Sequence, residues 1–214
     1  RGRGITRALI DKFGIGYAPK AQASLISKAT EEGYNAQYFY ETGLATPADE
    51  LRPMRDRFRE RVMFPIFSVS GRIVGFGGRI LSRTVKTAKY INSPESPIYS
   101  KSNELYGLYQ AKKAIGSADK CFVVEGYMDV IALHKAGIEN VVATSGTALT
   151  LQQIRLIRRF TEHVTLFFDG DAAGIKAAVR GVDLMLEAGI HIKVLVLPPE
   201  HDPDSFVQTH STSE

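Results

Sequence analysis

The sequence predicts an α/β fold: a parallel sheet flanked by helices, preceded by a smaller mixed α+β part rich in basic residues. Three observations carry this reading. From Lys120 onward, short apolar runs alternate with stretches of helical spacing. Before Lys120 the pattern is mixed, with helical pieces, one hairpin and a polar loop. The charge divides at the same place. Residues 1–119 hold 19 Lys and Arg against 11 Asp and Glu, whereas residues 120–214 hold 8 against 12.

Taken in order, "TRALIDKFG" spaces Leu9 and Phe13 four apart and stops at Gly14, as a short helix would. "AQASLISKATEEG" is a second helix of the same kind. Residues 62–81 read as a hairpin of two β-rich runs around Ser70-Gly71. Residues 82–104 read as loop, because "NSPESP" and several Ser punctuate them. "ELYGLYQAKKAI" returns to helical spacing. Then "CFVVE", "NVVAT", "VTLFFD" and "HIKVLVLP" are four apolar strands. Between them lie the helices "YMDVIALHKAG", "TLQQIRLIRRF" and "AAGIKAAVRGVDLMLEAG". This alternation means parallel strands with right-handed crossovers, and continuous apolar strands imply that both faces of the sheet are covered.

The chain of 214 residues, 44% hydrophobic, can bury a real core in one large domain or two small ones. No stretch reads as a signal peptide or a transmembrane helix, so no membrane association is expected. Cys121 is the single cysteine. It excludes a disulfide framework, reads as a small core residue within "CFVVEG", and fits a reducing cytoplasm. No Cys/His cluster offers a zinc site. The net charge of +8 on the first part suggests a polyanionic partner. The abrupt ends, "RGRG" and "HSTSE", read as those of a piece cut from a longer protein.

Sites on parallel sheets form beyond the carboxyl ends of the strands. Here acids stand at three of the four ends: Glu125 after "CFVV", Asp169 and Asp171 after "TLFF", and Asp202 and Asp204 after "KVLVLPPEH". Asp129 follows Glu125 by four residues, one helical turn on. A single D-x-D pair is compatible with a solvated turn or with acids at a helix N-terminus. Acids at three strand ends point to a shared role. Ionised carboxylates crowded on one rim repel one another, and divalent cations relieve that repulsion. An oxygen-only set suits Mg²⁺ or Mn²⁺, ions that then engage phosphate.

The order "VVEGYMDVIAL", "ATSGTALT", "FFDGDAAGIKAA", "DPDSF" resembles the Toprim domain of DnaG-type bacterial DNA primases. Tyr127 in "EGYMD" brings it closer to primases than to topoisomerases or recombination-mediator relatives. "RGITRALIDKFGIGYAP", "DRFRERVMFPI", "GRIVGFGGRIL" and "KYINSPESPIYSKSNELYGL" resemble, in the family's order, the basic subdomain of the primase catalytic core. The resemblance implies a basic N-terminal subdomain at residues 1–115, binding template and nucleotide, and a metal-binding Toprim domain at residues 116–214. It implies template-directed synthesis of short RNA primers from NTPs on single-stranded DNA, by a bacterial, cytoplasmic nucleotidyltransferase using two or more Mg²⁺ or Mn²⁺ ions. Carried over, the catalytic residues are Glu125, Asp129, Asp169 and Asp171. The metal residues are Glu125, Asp169, Asp171, Asp202 and Asp204, with Glu125 standing as ligand or general base. Arg3, Arg79, Lys89, Asn92 and Lys101 would hold nucleotide phosphates and the primer terminus, while Arg57 and Arg59 would contact template DNA. Tyr90 could stack a base or simply be a half-buried loop aromatic. The implied partners are single-stranded DNA, NTPs, the RNA primer and a replicative helicase reached through a C-terminal domain absent from this sequence. A monomer is expected. Competing readings are another Toprim nucleic-acid enzyme, nuclease or topoisomerase-like, and a non-catalytic DNA-binding fragment.

Overall fold

The computed structural model describes residues 4–20, 24–47, 54–81, 87–146, 148–168, 172–198, 203 and 205–206. In chain order the elements are α1 (Arg7–Phe13), β1 (Gly16–Ala18), α2 (Ser24–Glu31), α3 (Ala36–Glu41), β2 (Ala45–Thr46), β3 (Arg55–Asp56), β4 (Arg61–Phe67), β5 (Ile73–Ile80) and β6 (Tyr90–Asn92). There follow α4 (Leu108–Ala118), β7 (Cys121–Val124), α5 (Tyr127–Lys135), β8 (Val141–Ala143), α6 (Leu151–Arg158), β9 (His163–Phe168), α7 (Ala172–Glu187) and β10 (His191–Val196). They form two compact units. A parallel-sheet unit comprises Arg1–Phe13, Phe67–Arg72 and Lys101–Glu214, and an antiparallel-sheet unit comprises Gly14–Ile66 and Ile73–Ser100.

The expected alternation from Lys120 onward is realised as a four-stranded sheet in the order β10-β9-β7-β8, with every pair parallel. Its centre is the pairing of Val123 with Leu166, both fully buried. Leu108, Ala111 and Ile115 recur at helical spacing on α4 and bury against this sheet with Ile154 and Ile157 of α6. Truncating one such large residue to Ala removes on the order of 2–5 kcal/mol. Two glycines permit close approach. A Cβ on Gly181 of α7 would lie 3.0 Å from Leu166 of β9. Gly107, at φ +83°, opens α4, and a Cβ there would come within 2.9 Å of Val130.

One expectation fails. Both faces of every strand were to be covered, but Val194, Leu195 and Val196 of β10 are exposed, because among the described residues β10 is an edge strand paired with β9 alone. At the opposite edge, β8 is closed by Tyr106, which exchanges two backbone hydrogen bonds of 2.9 Å with Ala143.

The antiparallel unit carries a sheet in the order β1-β4-β5-β6 and the two-stranded pair β2-β3. The hairpin expected around Ser70-Gly71 is β4 and β5, turning through Ser68–Arg72, where Ser68 N donates to Arg72 O at 2.9 Å. The stretch expected to be loop holds β6, paired antiparallel to β5 with Gly77 opposite Asn92 and Arg79 opposite Tyr90. Residues 82–86 of that stretch lie outside the described residues. Buried Asp56 accepts from Leu25 N at 2.8 Å and Ile26 N at 3.2 Å, satisfying first-turn donors of α2 that have no partner within the helix.

α5 is buried along most of its length, and its last turn carries His134. The imidazole packs edge-on against Phe13, 4.9 Å between centroids, and among the described residues neither ring nitrogen has a hydrogen-bond partner. Glu139 stands 3.9 Å from Nδ1 but is held by Lys12 at 2.6 Å. Burial, aided by Lys12, pulls the His134 pKa down to about 4 from 6.5. Between those values the unfolded chain binds the extra proton, so this stability is present above pH 6.5 and is lost as pH falls toward 4. Glu104 works in the opposite sense. Burial raises it to about 7 from 4.5, so its contribution is present below pH 4.5 and is lost as pH rises through 7. Comparing urea melts of wild type and His134→Leu isolates the first effect. Wild type should lose about 2–3 kcal/mol more than the variant on going from pH 6.5 to pH 4.

Candidate functional site

Strand order places Glu125. The chain passes from β7 to β8 on one side of it, then returns to β9 on the other. The order therefore reverses beside β7, and in such sheets ligands bind beyond the carboxyl ends of the strands at that reversal. Glu125 directly follows β7, and β9 ends at Phe168, the residue before Asp169. Backbone bonds fix the first corner: Thr144 N donates to Val124 O at 3.2 Å and Ser145 N to Glu125 O at 2.9 Å. Asp129, in the first turn of α5, accepts from Gly126 N through Oδ2 at 2.9 Å and so closes the turn that carries Glu125. Oε1 of Glu125 is buried. Asp169, Asp171, Asp202 and Asp204 lie outside the described residues, as does Arg3. Among the described residues no three His, Cys, Asp or Glu side chains are grouped to hold a metal. Cys121 is fully buried, and burial pushes its thiol pKa up, as expected of an inert core cysteine.

Lys101 belongs to the same parallel-sheet unit as Glu125. Of the other basic residues singled out from the sequence, Arg57, Arg59, Arg79 and Lys89 lie in the antiparallel unit. Arg79 and Lys89 approach the ring of Tyr90, at 5.8 Å and 6.0 Å from its centroid. Arg57 donates through a terminal nitrogen to the Asn92 carbonyl at 3.2 Å. Lys20, Arg57, Arg59 and Arg61 line a groove of about 320 Å³ with Glu60, Ile80, Thr87 and Ile91. The Nε atoms of Arg57 and Arg79 are buried without a hydrogen-bond partner among the described residues.

Two residues of this groove were missed in the sequence. Lys20 sits in a polar stretch without any distinguishing pattern. Arg61 looks like one more cation of "DRFRER", yet it is the buried one. Its guanidinium donates to Gly78 O at 3.1 Å, Lys89 O at 3.3 Å, Thr87 Oγ1 at 3.0 Å and Ala88 O at 3.1 Å. Burial lowers its pKa. Arg61 therefore anchors the backbone of residues 87–89, from which Lys89 extends.

The comparisons with known proteins show the family. The family model for the DNA primase catalytic core, N-terminal domain, matches residues 1–112, and a Toprim-like model matches residues 122–207. The chain belongs to the DNA primase family. It is 44% identical over 207 residues to the DNA primase of Clostridium acetobutylicum, covering 96% of this chain and 34% of that one. The E. coli primase catalytic core superposes with a TM-score of 0.91 at 39% identity, over 99% of this chain and 68% of that one. A DnaG primase catalytic domain bound to single-stranded DNA superposes with a TM-score of 0.90 at 38% identity, over 99% and 68%. The chain thus spans about a third of the length of the full primases it matches. Among the described residues no helix is long and apolar enough to cross a membrane.

Replacing Arg61 with Met keeps much of the volume and strips donors from three carbonyls and one hydroxyl. The variant should lose about 2–3 kcal/mol in urea unfolding. Amide exchange should rise first in residues 87–92.

Proposed function

We propose that this chain is the part of a DNA primase that binds template and nucleotide and joins ribonucleotides into a primer. The observation that carries the reading is the position of Glu125 at the reversal of strand order, one strand away from the end of β9 that precedes Asp169. Residues 116–214 would hold the metal ions and residues 1–115 most of the nucleic acid and nucleotide contacts, with Lys101 reaching nucleotide phosphate from the carboxylate-bearing unit.

The donor chemistry fits divalent cations of the Mg²⁺ or Mn²⁺ type. The Glu125 corner offers carboxylate with no sulfur or imidazole, and Glu125, Asp169, Asp171, Asp202 and Asp204 would hold the ions. When bound, such ions supply Lewis-acid stabilisation of the transferring phosphoryl group. Asp129 keeps the Glu125 corner rigid through Gly126 N, so the carboxylate is placed before substrate arrives. Arg79 and Lys89 neutralise triphosphate oxygens, and Tyr90 between them offers a ring face. Arg57 and Arg59 run along the groove and take template phosphates. Single-stranded DNA binding by the relative supports a DNA template for this chain. A replicative helicase would be engaged elsewhere in the full protein, which would act as a monomer in the bacterial cytoplasm.

Asp171→Ala in the full-length protein should reduce primer synthesis on single-stranded DNA by at least about 100-fold while DNA binding persists. Intact synthesis would overturn the site and leave a DNA-binding role alone. The groove makes a separate prediction. The affinity of wild type for single-stranded DNA should fall steeply with salt, and Arg57→Ala with Arg59→Ala should flatten the log–log slope by about 0.7 for each phosphate no longer neutralised.

A further inference from the structure

The short segment that carries Lys101 is held by a buried clamp at the start of α6. Gln153 is fully buried, and its Nε2 donates to the carbonyls of Lys101 at 3.0 Å and Glu104 at 2.8 Å. Its Oε1 accepts from Thr150 N at 3.1 Å, while Thr150 Oγ1 accepts from Gln153 N at 3.2 Å and donates to Ser102 O at 2.6 Å. Thr150 and Gln153 thus form a reciprocal cap on α6. The cap requires only the oxygens of these side chains. Both amide protons of Gln153 and the hydroxyl proton of Thr150 go to three carbonyls roughly fifty residues earlier in the chain. A buried amide is costly unless every group is satisfied, and an apolar side chain of the same length would pack as well against neighbours such as Ile157. The donors therefore do something that packing does not: they fix the path of residues 101–104. Tyr106, bonded on both sides to Ala143 of β8, fixes the other end. The segment is thereby tied to the two elements, β8 and α6, that flank the loop leaving the second strand of the sheet.

We infer that Gln153 and Thr150 are positioning residues for nucleotide binding, setting where the Lys101 backbone stands relative to the sheet. This rests on the reading of Lys101 as a phosphate-binding residue. The carboxylate site contains neither of them, so their effect should be on nucleotide affinity rather than on the chemical step.

The test measures KM for NTP and kcat in primer synthesis by the full-length protein carrying Lys101→Ala, Gln153→Met, or both. Gln153→Met keeps length and volume and removes the two donations. The expected result is a rise in KM of about fivefold for Gln153→Met with kcat little changed, and a double variant no worse than Lys101→Ala alone. If Lys101→Ala raises KM but folded Gln153→Met does not, the clamp has no positioning role and the inference fails. Additive effects in the double variant would also overturn it, because Gln153 would then act by another route. If Lys101→Ala leaves KM unchanged, it is the reading of Lys101 that fails, and the inference with it. Should Gln153→Met not fold, Thr150→Val removes the donation to Ser102 O and is judged by the same cycle with Lys101→Ala.

Discussion

The parallel pairing of β7 with β9 is the constraint on which the parallel-sheet unit depends. Both strands are apolar almost throughout, and both are buried. Strands of that kind need neighbours on two edges and helices on two faces. That requirement sends β8 to one side and β10 to the other, and sets α4, α5, α6 and α7 around the sheet. The reversal of strand order follows from it. So does the location of the proposed site, because parallel sheets take ligands beyond the carboxyl ends of strands where the order reverses. Beside Val124, where the core stops, the Glu125 corner is fixed by backbone bonds from Thr144 N and Ser145 N.

Within each unit, buried polar side chains do for the loops what apolar ones do for the strands. Arg61 satisfies three acceptors at residues 87–89 and the Gly78 carbonyl of β5. Gln153 and Thr150 satisfy three carbonyls at residues 101–104. In each case a segment too polar to be held by burial is held by donors from a rigid element. Both segments carry a lysine proposed above to meet phosphate. Precision in placing a long, flexible cation comes from fixing its backbone, since the side chain itself keeps its freedom.

How much of this the sequence discloses depends on whether the signal is periodic or tertiary. β7, β8, β9 and β10 are legible because unbroken apolar runs alternate with helical spacing, and the hairpin of β4 and β5 is legible from β-rich runs about Ser70-Gly71. The edge position of β10 is not, because its composition matches that of a central strand and only pairing order exposes it. β6 is only three residues long, in a Ser- and Pro-rich stretch, and exists because Asn92 and Tyr90 meet Gly77 and Arg79 of β5. α3, with Tyr38 and Tyr40 exposed, is held by the buried Phe39 and an Asn35 cap and offers no wide apolar stripe to read. At the site, Glu125 was legible as an acid at a strand end. Arg61 was not, since nothing local separates a buried arginine from its neighbours in "DRFRER". For Gln153 the signal was half present. Thr150-x-x-Gln153 is the pattern of a capping box, but its partners at residues 101–104 are distant in sequence.

Asp129 shows how one carboxylate can shape the corner that carries another. Its bond to Gly126 N is the reciprocal half of a helix cap, and it also fixes the turn through which Glu125 leaves β7. Two ionised carboxylates four residues apart would repel if both faced the same ion-free space. Turning one onto a backbone N–H at a helix N-terminus lowers that cost, because the first-turn amides stabilise negative charge. The geometry therefore divides the labour: Asp129 sets the corner, and Glu125 occupies the place where the strand order reverses. The same division recurs at Lys89 with Arg61 and at Lys101 with Gln153, where the lysine proposed above to meet phosphate is separate from the residue that holds its backbone in position.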